Sequence, residues 1–128
     1  MSRIDPHSWC DDQQAVTRHL DLVWRVDFAA RVLEGEARLT FAAPAAGPLD
    51  LDARGLDIAG IHTASGEPVA WSVAESDPVL GDRLRLELPA GTESVTIRYR
   101  TGPGGHALGW LDPVQSTGGR HPFLFTEC

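Results

Sequence analysis

From Leu20 to Phe28 the apolar residues Leu20, Leu22, Trp24, Val26 and Phe28 alternate with Asp21, Arg25 and Asp27. A period of two marks an extended strand, because successive side chains point to opposite faces of a sheet; here one face is buried and the other is wet. Val23 alone breaks the polar set. The same period returns from Leu33 to Ala42, where Gly35, Ala37, Leu39 and Phe41 alternate with Glu34, Glu36, Arg38 and Thr40. The link through Ala29, Ala30 and Arg31 is short, so the two runs predict an antiparallel hairpin.

The pattern continues in short pieces. Pro44 to Pro48 reads as a turn before a short strand, Leu49 to Asp52. Ile58 to His62 and the alternating Val69, Trp71 and Val73 flank Ser65-Gly66, which predicts a second hairpin over Ile58 to Val73. After a loop at Asp77-Pro78, Leu84, Leu86 and Leu88 form a strand. Pro89 to Gly91 reads as a turn into Val95, Ile97 and Tyr99, with Thr96, Arg98 and Arg100 facing out. No window sustains helical periodicity for three turns. Short strands parted by Gly, Pro and Asp predict an all-β, two-sheet fold: an antiparallel β-sandwich of about 7–9 short strands with no substantial helix. With 128 residues the chain fits one domain. Residues 1–15 read as an N-terminal extension and 16–128 as the sandwich domain.

Beyond Thr101 the character changes. Gly102 to Gly105 and Gly118-Gly119 are turn points, and between them lie the large apolar Trp110 and Leu111. Phe123-Leu124-Phe125 is a continuous apolar run of the kind a strand buried on both faces carries. It stops three residues later, at Cys128. Since domain ends are usually polar and fray in water, this predicts that the polypeptide continues.

The net charge of -7 excludes a nucleic-acid interface, which needs clustered Lys and Arg against phosphate. It also fits poorly with anionic lipid. No apolar run approaches the roughly 20 residues of a membrane helix, and the polar N-terminus does not read as a secretory signal. A cytoplasmic location is the simplest expectation. Cys10 and Cys128 then read as two unpaired thiols, and neither has the Cys-x-x-Cys partner of a structural zinc site.

Catalytic motifs are absent from the sequence. The five histidines, His7, His19, His62, His106 and His121, show no i, i+4 pair and no H-E-x-x-H. No serine sits in G-x-S-x-G. The acidic neighbours Asp11 and Asp12 disfavour the Cys10 thiolate. Glu34 and Glu36 project from the wet face of a strand, and no glycine-rich loop precedes a helix.

Several stretches resemble the leukotriene A(4) hydrolase branch of the aminopeptidase-N family of zinc peptidases. Thr17 to Leu22 with Val26 to Phe28, then Leu33 to Ala37 with Leu39-Thr40, are similar to its first two strands. Leu49 to Asp52 with Gly55 to Ile58 is similar to the passage that follows. The most specific part is Ala107 to Pro113, Gln115 to Gly119 and His121 to Cys128. The resemblance spans about residues 16–128. It implies a curved β-sandwich that precedes a thermolysin-like catalytic domain of the same polypeptide and forms one wall of a peptide-binding cleft. In that family the zinc ligands lie on a later H-E-x-x-H helix and a downstream Glu, and a G-x-M-E-N motif binds the substrate's amino terminus. None of these is in this sequence, so no cofactor is expected in this chain, zinc belonging to the parent enzyme. The chain alone should be inactive. Glu127 matches the first of two Gln or Glu positions in a cleft loop, where this branch more often has Gln; the second would be residue 129. The resemblance makes Glu127 a candidate substrate-binding residue. Trp110, Leu111, Phe123 and Phe125 are candidate domain-interface residues, an apolar strip that a catalytic domain would cover. The alternative is a freestanding β-sandwich binding module for protein or carbohydrate.

Overall fold

The structure is a computed structural model that describes residues 8–11, 13–53, 55–77, 81–101, 108–111 and 123–126. The described residues form seven strands and no helix: β1 Thr17–Asp27, β2 Val32–Asp52, β3 Asp57–Thr63, β4 Ala70–Asp77, β5 Gly81–Thr101, β6 Leu108–Leu111 and β7 Phe123–Thr126. All pairing is antiparallel. The main sheet runs β1-β2-β5-β3, with β4 also paired to β5, and β6-β7 is a separate ribbon. The expected first hairpin is present, closed by Asp27 opposite Val32. Asp27 Oδ1 accepts from the Ala30 N–H at 3.0 Å and holds the turn.

Two sequence expectations are corrected. Pro44–Pro48 and Pro89–Gly91 do not reverse the chain; they lie inside β2 and β5, strands of 21 residues each. The paired register slips between Thr40 and Ala45 and again between Ala45 and Gly47. Gly47 and Gly91 carry φ values of 82° and 81°, which a residue with a Cβ rarely adopts. Thr92 Oγ1 donates to the Pro89 carbonyl at 2.5 Å, tying the bend. Proline has no N–H for a ladder and is tolerated at bulges, so the same residues that can make a turn here make a corner in a continuous ribbon. Second, Ile58 to Val73 is not a simple hairpin. Its two arms meet only near the turn, at the His62–Pro68 bridge, where the Val69 N–H donates to the Ile61 carbonyl at 2.9 Å and the Thr63 N–H to the Glu67 carbonyl at 2.8 Å. β3 pairs with the C-terminal half of β5 and β4 with its N-terminal half.

The corner makes the sandwich. A straight strand of that length would span on the order of 70 Å, far beyond a domain whose radius of gyration is about 14 Å. Folding the β2-β5 ribbon on itself brings Leu39, Phe41, Val95 and Ile97 from one half against Leu49, Leu84, Leu86 and Leu88 from the other in one core. Ile61 of β3 and Val69 join them.

A third expectation is overturned at β1. Its apolar residues are paired with core-face residues of β2, Leu20 with Leu39 and Leu22 with Ala37. Yet Leu20, Leu22 and Trp24 remain 52%, 47% and 44% exposed. A period of two reports which side a residue faces, and cannot report whether anything covers that side.

Trp24 and Gly35 illustrate the local fit. They are directly opposite, and the Trp24 Nε1–H donates to the Tyr99 hydroxyl at 2.8 Å. A Cβ on Gly35 would lie 2.6 Å from Tyr99 Cζ and 3.0 Å from Trp24 Cδ1. The missing side chain is the space the two rings occupy. Gly35→Ala should therefore destabilise the domain by about 1–3 kcal/mol, as overpacking does. Urea unfolding would check it, and an unchanged midpoint would show the rings free to swing aside.

Candidate functional site

The sequence points to the C-terminal ribbon. β6 and β7 pair with Leu108 opposite Thr126, Gly109 opposite Phe125, Trp110 opposite Leu124 and Leu111 opposite Phe123. The four candidate interface residues are thus brought onto one two-stranded ribbon despite the sequence between them. Leu111, Phe123 and Phe125 hold register positions of one parity and Trp110 with Leu124 the other. Leu124 is half-buried. Glu127 follows the last residue of β7 and lies outside the described residues.

The wet face of the main sheet carries most of the described charge. Arg25 bonds Glu34 at 3.0 Å and Arg98 lies 3.4 Å from Glu36. Asp21, Val23, Glu36, Arg38, His62 and Thr96 border an open depression of about 540 Å³ on this face. Both glutamates are exposed and held by arginine, which is the behaviour of a solvated face rather than of an acid–base pair.

One charged group was not singled out by sequence reasoning. Asp50, 5% exposed, sits beneath a double clamp: Arg85 Nε and Nη2 donate to its two carboxylate oxygens at 2.8 and 2.9 Å. Gln14 Nε2 adds a third bond at 2.9 Å and its Oε1 accepts from the Asp50 N–H at 2.7 Å. The Arg85 hydrogen bonds hold the Asp50 carboxyl below its ordinary range; burial opposes them, and Gln14 and the charges of Arg85 and Arg83 reinforce them. A carboxylate so fully paired is a structural anion. Nearby, Asp52 accepts from the Trp9 N–H at 2.7 Å, the Trp9 indole donates to the Gly81 carbonyl at 3.1 Å, and Arg83 lies 5.4 Å over the Trp9 ring. Ser8, Trp9 and Gln14 are therefore fastened to the C-terminal end of β2 and the start of β5. The signal in sequence was Leu49-Asp50-Leu51-Asp52 opposite Arg83 and Arg85, legible only once β2 and β5 are known to pair.

The described residues do not fit a zinc ion. His19 Nε2 lies 3.1 Å from Asp21 Oδ1 and His62 stands apart from it on β3. Among the described residues no three His, Cys, Asp or Glu side chains converge on a common point. Cys10 is an exposed free thiol.

No family model matches the chain. It is 27% identical over 131 aligned residues to leucine aminopeptidase 2 of Phaeosphaeria nodorum and 28% identical over 131 to leukotriene A-4 hydrolase of Xenopus laevis. Each alignment takes in 97% of this chain and 21% of the relative, so the chain spans about a fifth of the length of the curated relatives it matches. Among solved structures, yeast LTA4 hydrolase in complex with bestatin superposes with a TM-score of 0.85 at 23% identity, over 97% of this chain and 20% of the other. Native leukotriene A4 hydrolase from Saccharomyces cerevisiae gives 0.83 at 24% identity over 98% and 21%. At that identity the superposition shows the fold.

Proposed function

We propose that this chain, homologous to the N-terminal portion of the leucine aminopeptidase 2 and leukotriene A-4 hydrolase proteins, is the non-catalytic β-domain of a cytoplasmic zinc aminopeptidase. It forms one wall of the cleft that receives a peptide's amino terminus and docks on the catalytic domain of the same polypeptide. The observation that carries this reading is the alignment of 97% of the chain with 21% of an aminopeptidase. Zinc and the groups that activate water belong to the catalytic domain, and no step of the chemistry falls to a described residue. The β6-β7 ribbon, through Trp110, Leu111, Phe123 and Phe125, supplies the docking surface. Glu127, one residue beyond β7 in the sequence, would draw the substrate's ammonium group by charge. The free thiol of Cys10 accords with a reducing compartment.

The test is a graft. The chain alone, with zinc added, should leave a leucine anilide untouched. Replacing the matched fifth of Phaeosphaeria nodorum leucine aminopeptidase 2 with this chain should keep anilide turnover within about tenfold, since a wall misplaced by roughly 1 Å costs on the order of a hundredfold. Turnover by the isolated chain, or a folded but inactive graft, would defeat the proposal.

A further inference from the structure

We infer that β1 is a self-pairing edge: two copies of this chain join antiparallel along Thr17–Asp27, with the two-fold axis at Val23. Among the described residues β1 is the end strand of the main sheet and pairs only with β2. It is long for an edge, with 11 residues and no proline. Edges of this kind are normally blunted by shortness, proline or lysine because they template pairing with another chain. β1 is neither short nor interrupted by proline or lysine; its blunting devices are the charges Arg18, Asp21, Arg25 and Asp27 and an irregularity between Thr17 and His19 at one end, and Leu20, Leu22, Val23 and Trp24 on it are all well exposed.

The sequence of β1 selects one register. With Val23 opposite its own copy, Asp21 meets Arg25, His19 meets Asp27, Leu20 meets Val26 and Leu22 meets Trp24. Over His19–Asp27 each charged or polar residue faces a partner of opposite or compatible charge and each apolar residue an apolar one, on both faces at once; Arg18, at the strand's end, falls opposite Phe28. Neighbouring registers fail. An axis at Leu22 sets Arg25 against His19; at Trp24, Asp21 against Asp27; at Asp21 or at Arg25, each of these against itself. A slip of odd parity sends the apolar residues to the wet face.

The wet face of the sheet carries the same logic inward. Across the strands Asp57 is opposite Arg100, Arg100 opposite Glu34, and Glu34 opposite Arg25. In the proposed register Arg25 meets Asp21 of the second copy, which is itself opposite Arg38 there. A row of alternating charge would then run from Asp57 on β3 of one copy to Arg38 on β2 of the other, where it ends against the uncharged Thr96. Opposite charges on facing strands stabilise and like charges destabilise, and an isologous pairing makes each contact twice.

The test is charge reversal read by sedimentation velocity. The chain should show a concentration-dependent species of twice its 13.8 kDa mass. Asp21→Arg or Arg25→Asp, each on the exposed face, should raise the dimer dissociation constant about tenfold, with circular dichroism unchanged. Mixing the two single variants should restore affinity toward wild type, because both contacts between positions 21 and 25 of the two copies are again between opposite charges, while the altered pairings with Glu34 and Arg38 inside each chain are the same in the single variants and in their mixture. The doubly reversed chain should do the same. A wild-type chain monomeric up to about millimolar concentration would overturn the inference; so would variants that dimerise as wild type, or a mixture that fails to recover.

Discussion

Leu86→Ala is expected to lower the unfolding free energy by about 3–4 kcal/mol, while Leu22→Ala should cost about 1 kcal/mol or less. The two leucines are equivalent in sequence terms. Each lies in an alternating run, each is on the apolar side of its strand. Leu86 is fully buried, between Leu49 on β2 and Trp71 on β4, in the core where the two halves of the bent ribbon meet. Truncating it opens a cavity walled by both halves, which cannot collapse without unbending the corner. Leu22 sits on the edge strand, 47% exposed, where truncation removes contact on one side only. Urea unfolding of dilute protein would compare them: the Leu86→Ala midpoint should fall far more, with slopes alike, since the surface exposed on unfolding is alike. Equal losses would mean that β1 is covered as fully as the core.

That contrast also measures what the amino-acid pattern can carry. The period of two from Leu20 to Phe28 and Leu33 to Ala42 placed β1, the first hairpin and the inward face of β2 correctly, because strand alternation is local. Leu84, Leu86 and Leu88 and then Val95 and Ile97 were likewise read as inward, and all are buried. The Pro44–Pro48 and Pro89–Gly91 segments were read as reversals because proline and glycine punctuate turns and bulges alike; what separates them is which strand pairs next, a non-local fact. The partner of β3 was missed for the same reason, since adjacency along the chain suggested β4 while both strands add to β5. At the candidate site, the union of Trp110-Leu111 with Phe123 to Phe125 rested on resemblance, and the β6-β7 register brings those segments together. Asp50 escaped notice altogether. An acidic residue between two leucines reads as a wet-face residue until the arginines of another strand are laid across it.

Asp50→Asn should remove about 3 kcal/mol at neutral pH, lowering the melting temperature by roughly 10 °C. The amide keeps the volume but offers one acceptor where Arg85 uses two, and it turns a donor toward a guanidinium. Arg83, 3.8 Å away, also loses its counter-charge. The figure sits at the low end for a broken buried pair because Arg85 is itself 37% exposed and recovers some hydration. The pH profile identifies the cause. The folded carboxyl titrates below its ordinary value of 3.8, chiefly because Arg85 bonds its ionised form. At pH below that value the unfolded chain takes up the proton first, so unfolding is favoured as pH falls. The contribution is therefore whole above about pH 5 and disappears as pH drops from there through the folded titration. Wild type and Asp50→Asn should differ most near pH 7, and the gap between their melting temperatures should narrow as the pH falls below the ordinary carboxyl value of 3.8. A gap that stays constant over that range would assign the stabilisation to packing around residue 50 and not to its charge. The same melt should release Gln14 and with it Trp9, because Gln14 is bonded to both the side chain and the backbone of Asp50 and Trp9 is bonded to the neighbouring Asp52. Quenching of the Trp9 indole by added iodide would report that release, and it should begin at milder conditions in Asp50→Asn than in wild type.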